Sequence, residues 1–156
     1  MDPTFYGTFT NRIDAKGRVS VPAPFRALLE GQKLHGCIVS PSVVYPMLEG
    51  SGVGRTDWMR EQLETLPEFS DDYFAVQQMF ADTVQVPFDS EGRIILPQSL
   101  LDHAGLSSNI VFAGSGNVFQ MWEPEGFEAH KERMRQRRRE HPAVFQPRRP
   151  SPRTTP

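Results

Sequence analysis

The chain opens on a period-two pattern in which Phe9, Asn11 and Ile13 alternate with Thr8, Thr10 and Arg12, the spacing of a strand that turns one face to a core. Asp14-Ala15-Lys16-Gly17 interrupts it as a turn, and Val19 and Val21 resume the inward face before Pro22. The period then lengthens. Phe25, Leu28 and Leu29 share one face of a short helix over Pro22–Gly31, with Pro24 suited to its first turn and Gly31 to its end. Cys37-Ile38-Val39 and Val43-Val44-Tyr45 predict a hairpin across Ser40-Pro41-Ser42, and the glycine-rich run Glu49–Gly54 reads as a flexible connector. That run lacks the Lys-Ser/Thr ending of a phosphate-binding loop.

Two helical segments follow. Met59, Leu63 and Leu66, with Trp58 alongside, set an amphipathic stretch over Thr56–Leu66 that Pro67 stops. Ser70 caps a second, whose first turn carries Asp71 and Asp72 and whose inner side holds Tyr73, Val76 and Phe80, with Phe74 and Met79 near them. These aromatic side chains belong to the core or to a subunit interface. Strand spacing returns at Thr83. A helix through Leu100, Leu101 and Ala104 ends at Gly105, and Ile110–Ala113 and Val118–Trp122 form a hairpin over Gly114–Asn117. Pro124 to Arg139 is helical, with Phe127 and Met134 as an apolar edge. From His141 onward, Pro, Arg, Ser and Thr with few apolar residues predict disorder.

One stretch occurs twice. Ile13-Asp14-Ala15-Lys16-Gly17-Arg18-Val19-Ser20-Val21-Pro22 returns as Phe88-Asp89-Ser90-Glu91-Gly92-Arg93-Ile94-Ile95-Leu96-Pro97, an offset of 75 that keeps Asp, Gly, Arg and Pro in place. At the same offset Thr8–Asn11 falls on Thr83–Val86 and Val43-Val44 on Val118-Phe119. In each copy the glycine takes a left-handed conformation that closes the turn, and the arginine projects from the rim. A duplication of this length predicts two units that bury their apolar faces against each other, hence one interlocked domain.

Charge sharpens the picture. Residues 1–130 hold eight basic against seventeen acidic residues, about −9, whereas residues 131–156 hold nine against two, about +7. An acidic body disfavours non-specific nucleic-acid binding, which runs on phosphate neutralisation, so any DNA contact has to be local. Lys16, Arg18 and Arg93 lie in the two turns and Arg12 just before the first. Arginine presents a planar fork that grips guanine edges or phosphate, and a two-stranded ribbon fits the major groove. The competing role for Arg18 and Arg93 is an ion pair with Asp14 or Asp89 that braces the turn. The two aspartates, with Gly17 and Gly92, are assigned to supporting the turn, since a carboxylate repels phosphate. Glu91 stands where the first copy has Lys16, so the tips are unequal. The arginines of residues 133–139, with those of the tail, add DNA affinity or merely solubility.

The paired Asp-x-x-Gly-Arg-x-x-x-Pro motifs, Asp14–Pro22 and Asp89–Pro97, resemble the MraZ family of bacterial transcriptional regulators, over Phe5 to about Met134. One copy alone would point only to the wider SpoVT/AbrB-like group of DNA-binding β-barrels. The resemblance implies a mainly β fold with flanking helices, in which two interlocked AbrB-like units of the swapped-hairpin type form one barrel. Its divisions are a first repeat over 5–48, intervening helices over 49–82, a second repeat over 83–126, a C-terminal helix over 127–140 and a basic tail over 141–156. It further implies a ring-like homo-oligomer that binds repeated short boxes in the promoter of its own cell-division and cell-wall gene cluster. No cofactor or small-molecule substrate is called for. The single cysteine, Cys37, forms no internal disulfide, and His35, His103, His130 and His141 are scattered without a nucleophile or metal partner, which argues against an enzyme. With no membrane-length apolar run and no signal-peptide pattern, a cytoplasmic, nucleoid-associated protein is expected. An interaction scaffold on the same barrel is the alternative.

Overall fold

The computed structural model describes residues 3–145. In chain order the elements are β1 (Thr8–Arg12), β2 (Arg18–Ser20), α1 (Ala23–Gly31), β3 (Gly36–Pro41), β4 (Leu48–Ser51), α2 (Gly54–Glu64), α3 (Asp71–Asp82), β5 (Val84–Pro87), β6 (Arg93–Ile95), α4 (Gln98–Ala104), β7 (Asn109–Gly114), β8 (Phe119–Trp122) and α5 (Pro124–Glu140), followed by a 3-10 turn at Pro142–Phe145. The tail expected to be disordered lies, from residue 146 on, outside the described residues.

Six strands form an antiparallel sheet in the order β1-β7-β8-β4-β3-β5, and β2 and β6 form a separate antiparallel ribbon. Exchanging the two halves of the chain, β1 for β5, β3 for β7 and β4 for β8, leaves that order unchanged, so the duplication is a pseudo-two-fold in space. Each half contributes one hairpin, β3–β4 or β7–β8, and lends its first strand to the other half: β1 pairs with β7 and β5 with β3. The β4–β8 ladder joins the hairpins at the centre. Strand pairing continues through Ser51, past the unit boundary expected at residue 48.

The fold is mixed, a large antiparallel sheet with several helices, and among the described residues its ladder does not close into the expected barrel. It ends at β1 and β5, which carry no hydrogen bonds to each other. The reason lies in the turns. Each re-aims the chain so that β2 and β6 leave the ladder and pair with one another, their inner residues Val19 and Ile94 fully buried beneath the ribbon. Below them Phe5, Phe25 and Phe119 meet within 5.4 Å, with Leu29, Leu48, Ile110 and Phe112 in the same apolar cluster. Non-directional burial of this kind supplies most of the folding free energy.

Two expectations fail in the first half. Val43 and Val44 are 74% and 72% exposed, and the return strand is β4, drawn from the glycine-rich run read as a connector. The Ser42 hydroxyl accepts hydrogen bonds from the amides of Val44 and Tyr45, 3.2 Å each, which folds residues 42–47 into a loop. The repeat offset of 75 is not kept throughout the chain. It shrinks to 73 between β3 and β7 (Gly36 to Asn109) and to 71 between β4 and β8 (Leu48 to Phe119), because α1 and the β3–β4 loop are longer than their counterparts. Gly50 is required by packing, since a Cβ there would strike the ring of Phe119.

Helices α2 and α3 pack on each other around a cavity of about 260 Å³ lined by Trp58, Met59, Gln62, Thr65, Leu66, Val76 and Met79. The Ser70 cap forms as expected, accepting from the Tyr73 amide at 3.2 Å. No residue of α3 is fully buried, and Phe69 and Phe74 are exposed. Helix α5 is held by Phe127 and by His130, whose ring stacks on Trp122 at 4.6 Å and meets Tyr45 edge-on at 4.8 Å. Met134, expected beside Phe127 on the buried edge, is exposed.

Candidate nucleic-acid interface

Each turn is built by its aspartate. Asp14 Oδ1 accepts from the amides of Lys16 (3.0 Å) and Arg18 (2.9 Å), and Oδ2 accepts from Arg18 Nε at 2.6 Å. Asp89 does the same with Glu91 (2.9 Å), Arg93 (2.9 Å) and Arg93 Nε (2.8 Å). The glycines close the loops at φ +79° and +75°, a region where a Cβ is costly, and their amides donate to the carbonyls of Asp14 and Asp89, 3.0 Å each. The Arg18 amide, with that arginine's side chain, holds the Asp14 carboxyl below its ordinary range, and Arg93 does so for Asp89. Its bond to Asp89 pushes the Arg93 guanidinium pKa up, with smaller help from the charges of Asp89, Glu91 and Asp14.

The structure brings the two turns together on one ribbon. Arg18 lies opposite Ile95, Val19 opposite Ile94 and Ser20 opposite Arg93. Since Val19 and Ile94 face inward, Arg18, Ser20, Arg93 and Ile95 share the outward face. Arg18 and Arg93 are diagonal neighbours, a relation that places Cα atoms roughly 7–8 Å apart. Each turn is also tied to the opposite half: the Leu96 amide donates to Gly17 O at 3.1 Å and the Val21 amide to Gly92 O at 3.3 Å. The carboxylates take the arginines through Nε. Among the described residues this leaves both terminal nitrogens of Arg18 without a protein hydrogen bond, and Arg93 with a 3.7 Å approach of Nη1 to Glu91. The bracing pair and an outward-reaching fork therefore coexist in one side chain.

Lys16 is exposed at the first tip and borders a groove of about 540 Å³ shared with Gly17, Ile95, Pro97 and Gln98. Arg12 is apart from them, at the end of β1 opposite Asn109, on the six-stranded sheet and not on the ribbon. One basic residue was missed by sequence reasoning. Arg26 of α1 donates from Nη1 to Val21 O at 2.9 Å, and its guanidinium lies where a Cβ on Gly92 would come within 2.6–2.7 Å of it. The matching position behind Gly17 is Leu101. The signal was present as a mismatch between the copies, arginine at 26 against leucine at 101.

Other chemistry is sparse. Burial pushes the Cys37 thiol up to about 12, far from nucleophilic character. Among the described residues no three His, Cys, Asp or Glu side chains assemble into a group able to hold a metal ion, and no helix is long and apolar enough to cross a membrane.

Comparison with known proteins agrees with the paired motif. The family model for the MraZ protein matches residues 79–145, a span that includes the second turn and α5. The transcriptional regulator MraZ of Rickettsia akari (strain Hartford) is 39% identical over 127 residues, covering 81% of this chain and 85% of that protein. Its counterpart in Rickettsia rickettsii (strain Sheila Smith) is 41% identical over the same shares, and that of Rickettsia bellii (strain OSU 85-389) 41% identical over 118 residues. With identity at this level across four-fifths of its length, the chain belongs to the MraZ family.

Proposed function

We propose that this protein is a transcriptional regulator that binds DNA sequence-specifically by laying the outward face of the β2–β6 ribbon in the major groove. The observation that carries the reading is the placement of Arg18 and Arg93 on one face of a two-stranded ribbon, within a body that is otherwise acidic. A ribbon of this width fits the major groove, and an arginine whose Nε is fixed by a carboxylate presents its remaining donors in a set direction. Lys16 adds a phosphate contact at the first tip, and Arg12 reaches the flanking backbone. The relatives' shared name, transcriptional regulator, supports the same role. In this reading the two repeats act as AbrB-like units of the swapped-hairpin type, joined through the ribbon.

One ribbon buries little surface, so useful affinity requires several protomers on spaced boxes. A ring-like homo-oligomer bound to repeats upstream of its own cell-division and cell-wall cluster meets that need, and the exposed aromatic side chains of α2 and α3 suit self-contact. The expected setting is cytoplasmic and nucleoid-associated, without catalysis. The test is a footprint of the full chain on DNA upstream of its own gene, repeated with Arg18→Ala. Protection of evenly spaced boxes that disappears with the variant is the expected result. A folded variant that protects the same boxes would leave Arg18 a structural brace.

A further inference from the structure

The ribbon's outward face holds one residue that neither bracing nor phosphate contact accounts for. Ile95 is 59% exposed, lies directly across from Arg18 on the pleat and borders the groove that Lys16 and Gly17 also line. Exposure alone means little, because single apolar residues are common on surfaces. Position is what matters. Two residues before Ile95 on the same strand is Arg93, so Ile95 neighbours Arg18 directly across the ribbon and Arg93 along its own strand. At its repeat equivalent, opposite Arg93, stands Ser20. The pseudo-two-fold of the ribbon is thus broken at this pair of positions, apolar beside Arg18 and hydroxyl beside Arg93.

We propose that Ile95 is a specificity-determining residue that contacts the 5-methyl group of a thymine next to the base or phosphate held by Arg18. This rests on the DNA-binding reading above. In the major groove thymine alone among the four common bases presents a methyl, and an apolar side chain is its natural partner. Ser20, able to pair with several base edges, gives the other end of the ribbon no such preference. The consequence is a direction. A pseudo-symmetric ribbon would read a palindrome, whereas one with Ile95 at a single end prefers thymine on one side only, which suits boxes repeated head to tail.

The test uses the full chain. Duplexes are enriched from a random-sequence pool by the wild-type protein, and each thymine of the enriched site is then replaced in turn by deoxyuridine, which deletes only the methyl. Wild type should lose about fourfold in affinity at one thymine, the worth of one buried methyl-sized group. Ile95→Ser should bind the thymine and uracil duplexes alike at that position, with thermal stability unchanged because the site is exposed. Ile95→Val should keep most of the discrimination. Uracil insensitivity of the wild type at every thymine, or equal sensitivity in wild type and Ile95→Ser, would overturn the proposal. So would a change in oligomer mass on light scattering for Ile95→Ser with base discrimination intact, which would place Ile95 at a contact between copies. If Arg18→Ala abolishes binding while Ile95→Ser changes nothing, only this inference fails. If no sequence is enriched, the DNA-binding reading fails with it.

Discussion

The turns at Asp14–Arg18 and Asp89–Arg93 make the same bonds with different surroundings. Their carboxylate-to-amide and carboxylate-to-guanidinium distances agree within 0.2 Å, and both glycines sit near φ +77°. Around that frame the neighbouring residues differ: Lys16 against Glu91 at the tip, Leu101 against Arg26 behind the glycine, Ile95 against Ser20 across the strand. Asp, Gly and Arg specify a shape, while the positions between them and across from them are free to set charge and contact. A duplicated unit can therefore keep one geometry and still present two unlike ends to a ligand.

The comparison is broken most directly at the arginines. Arg18→Ala should weaken promoter binding by about 1–3 kcal/mol per bound ribbon, and Arg93→Ala by less, because Glu91 already opposes phosphate there. Fluorescence anisotropy and thermal melts on the same two variants separate reading from bracing, since a brace alone would lower the melting temperature before it lowered affinity. The glycines come next. Gly17→Ala and Gly92→Ala should each destabilise the fold by about 1–2 kcal/mol in chemical denaturation, the cost of a Cβ in the left-handed region. A Cβ on Gly17 meets the Leu96 carbonyl at 3.3 Å, whereas one on Gly92 meets the Arg26 guanidinium, which can swing aside at the expense of its bond to Val21 O, so adding Arg26→Ala should relieve Gly92→Ala while leaving Gly17→Ala untouched.

A pH titration probes what the turns share. Both aspartates have folded pKa values below the ordinary carboxylate value, so the unfolded chain binds more protons in the acid range. Their contribution is fully present above that value and lost as pH falls through the folded pKa. Carboxyl-carbon NMR should show both titrating low, and Asp14→Asn should flatten the acid limb of stability without altering the Asp89 curve. The smallest effect is at the tips: Lys16→Ala should lower the slope of log affinity against log salt by about one, and Glu91→Lys should raise it by about one. Equal and null changes would mean that the tips stand clear of phosphate.

What the sequence made legible follows the range of the interactions. The turns were readable because the bonds of Asp14 and Asp89 span at most four residues, and the Ser70 cap because it spans three. Strand β7 was readable from the apolar run Ile110–Ala113 and β8 from Val118, Phe119, Met121 and Trp122, broken only by Gln120. The β3–β4 return was misread since a hydroxyl at Ser42, and a ring on Gly50 contributed by Phe119, decide it from outside the local pattern. The same limit hid the site. That Arg18 and Arg93 lie side by side depends on β2 pairing with β6, and that Arg26 backs Gly92 depends on α1 of one half reaching the turn of the other.

The exchange of first strands between halves also governs how the chain comes off the ribosome. Thr8 must wait for Ala113 before it acquires its sheet partner, and the ribbon cannot form until Arg93–Ile95 has been made. A nascent chain that has emerged only through α2 holds β1 and β2 with no partner strand to pair with, and pairing across such separations is slow because loop closure precedes the contacts that repay it. An interrupted translation product therefore displays bare strand edges, the form most prone to aggregation and capture by proteases. The face that carries both arginines exists only once Arg93–Ile95 has been made, so a chain stopped before that point lacks it altogether.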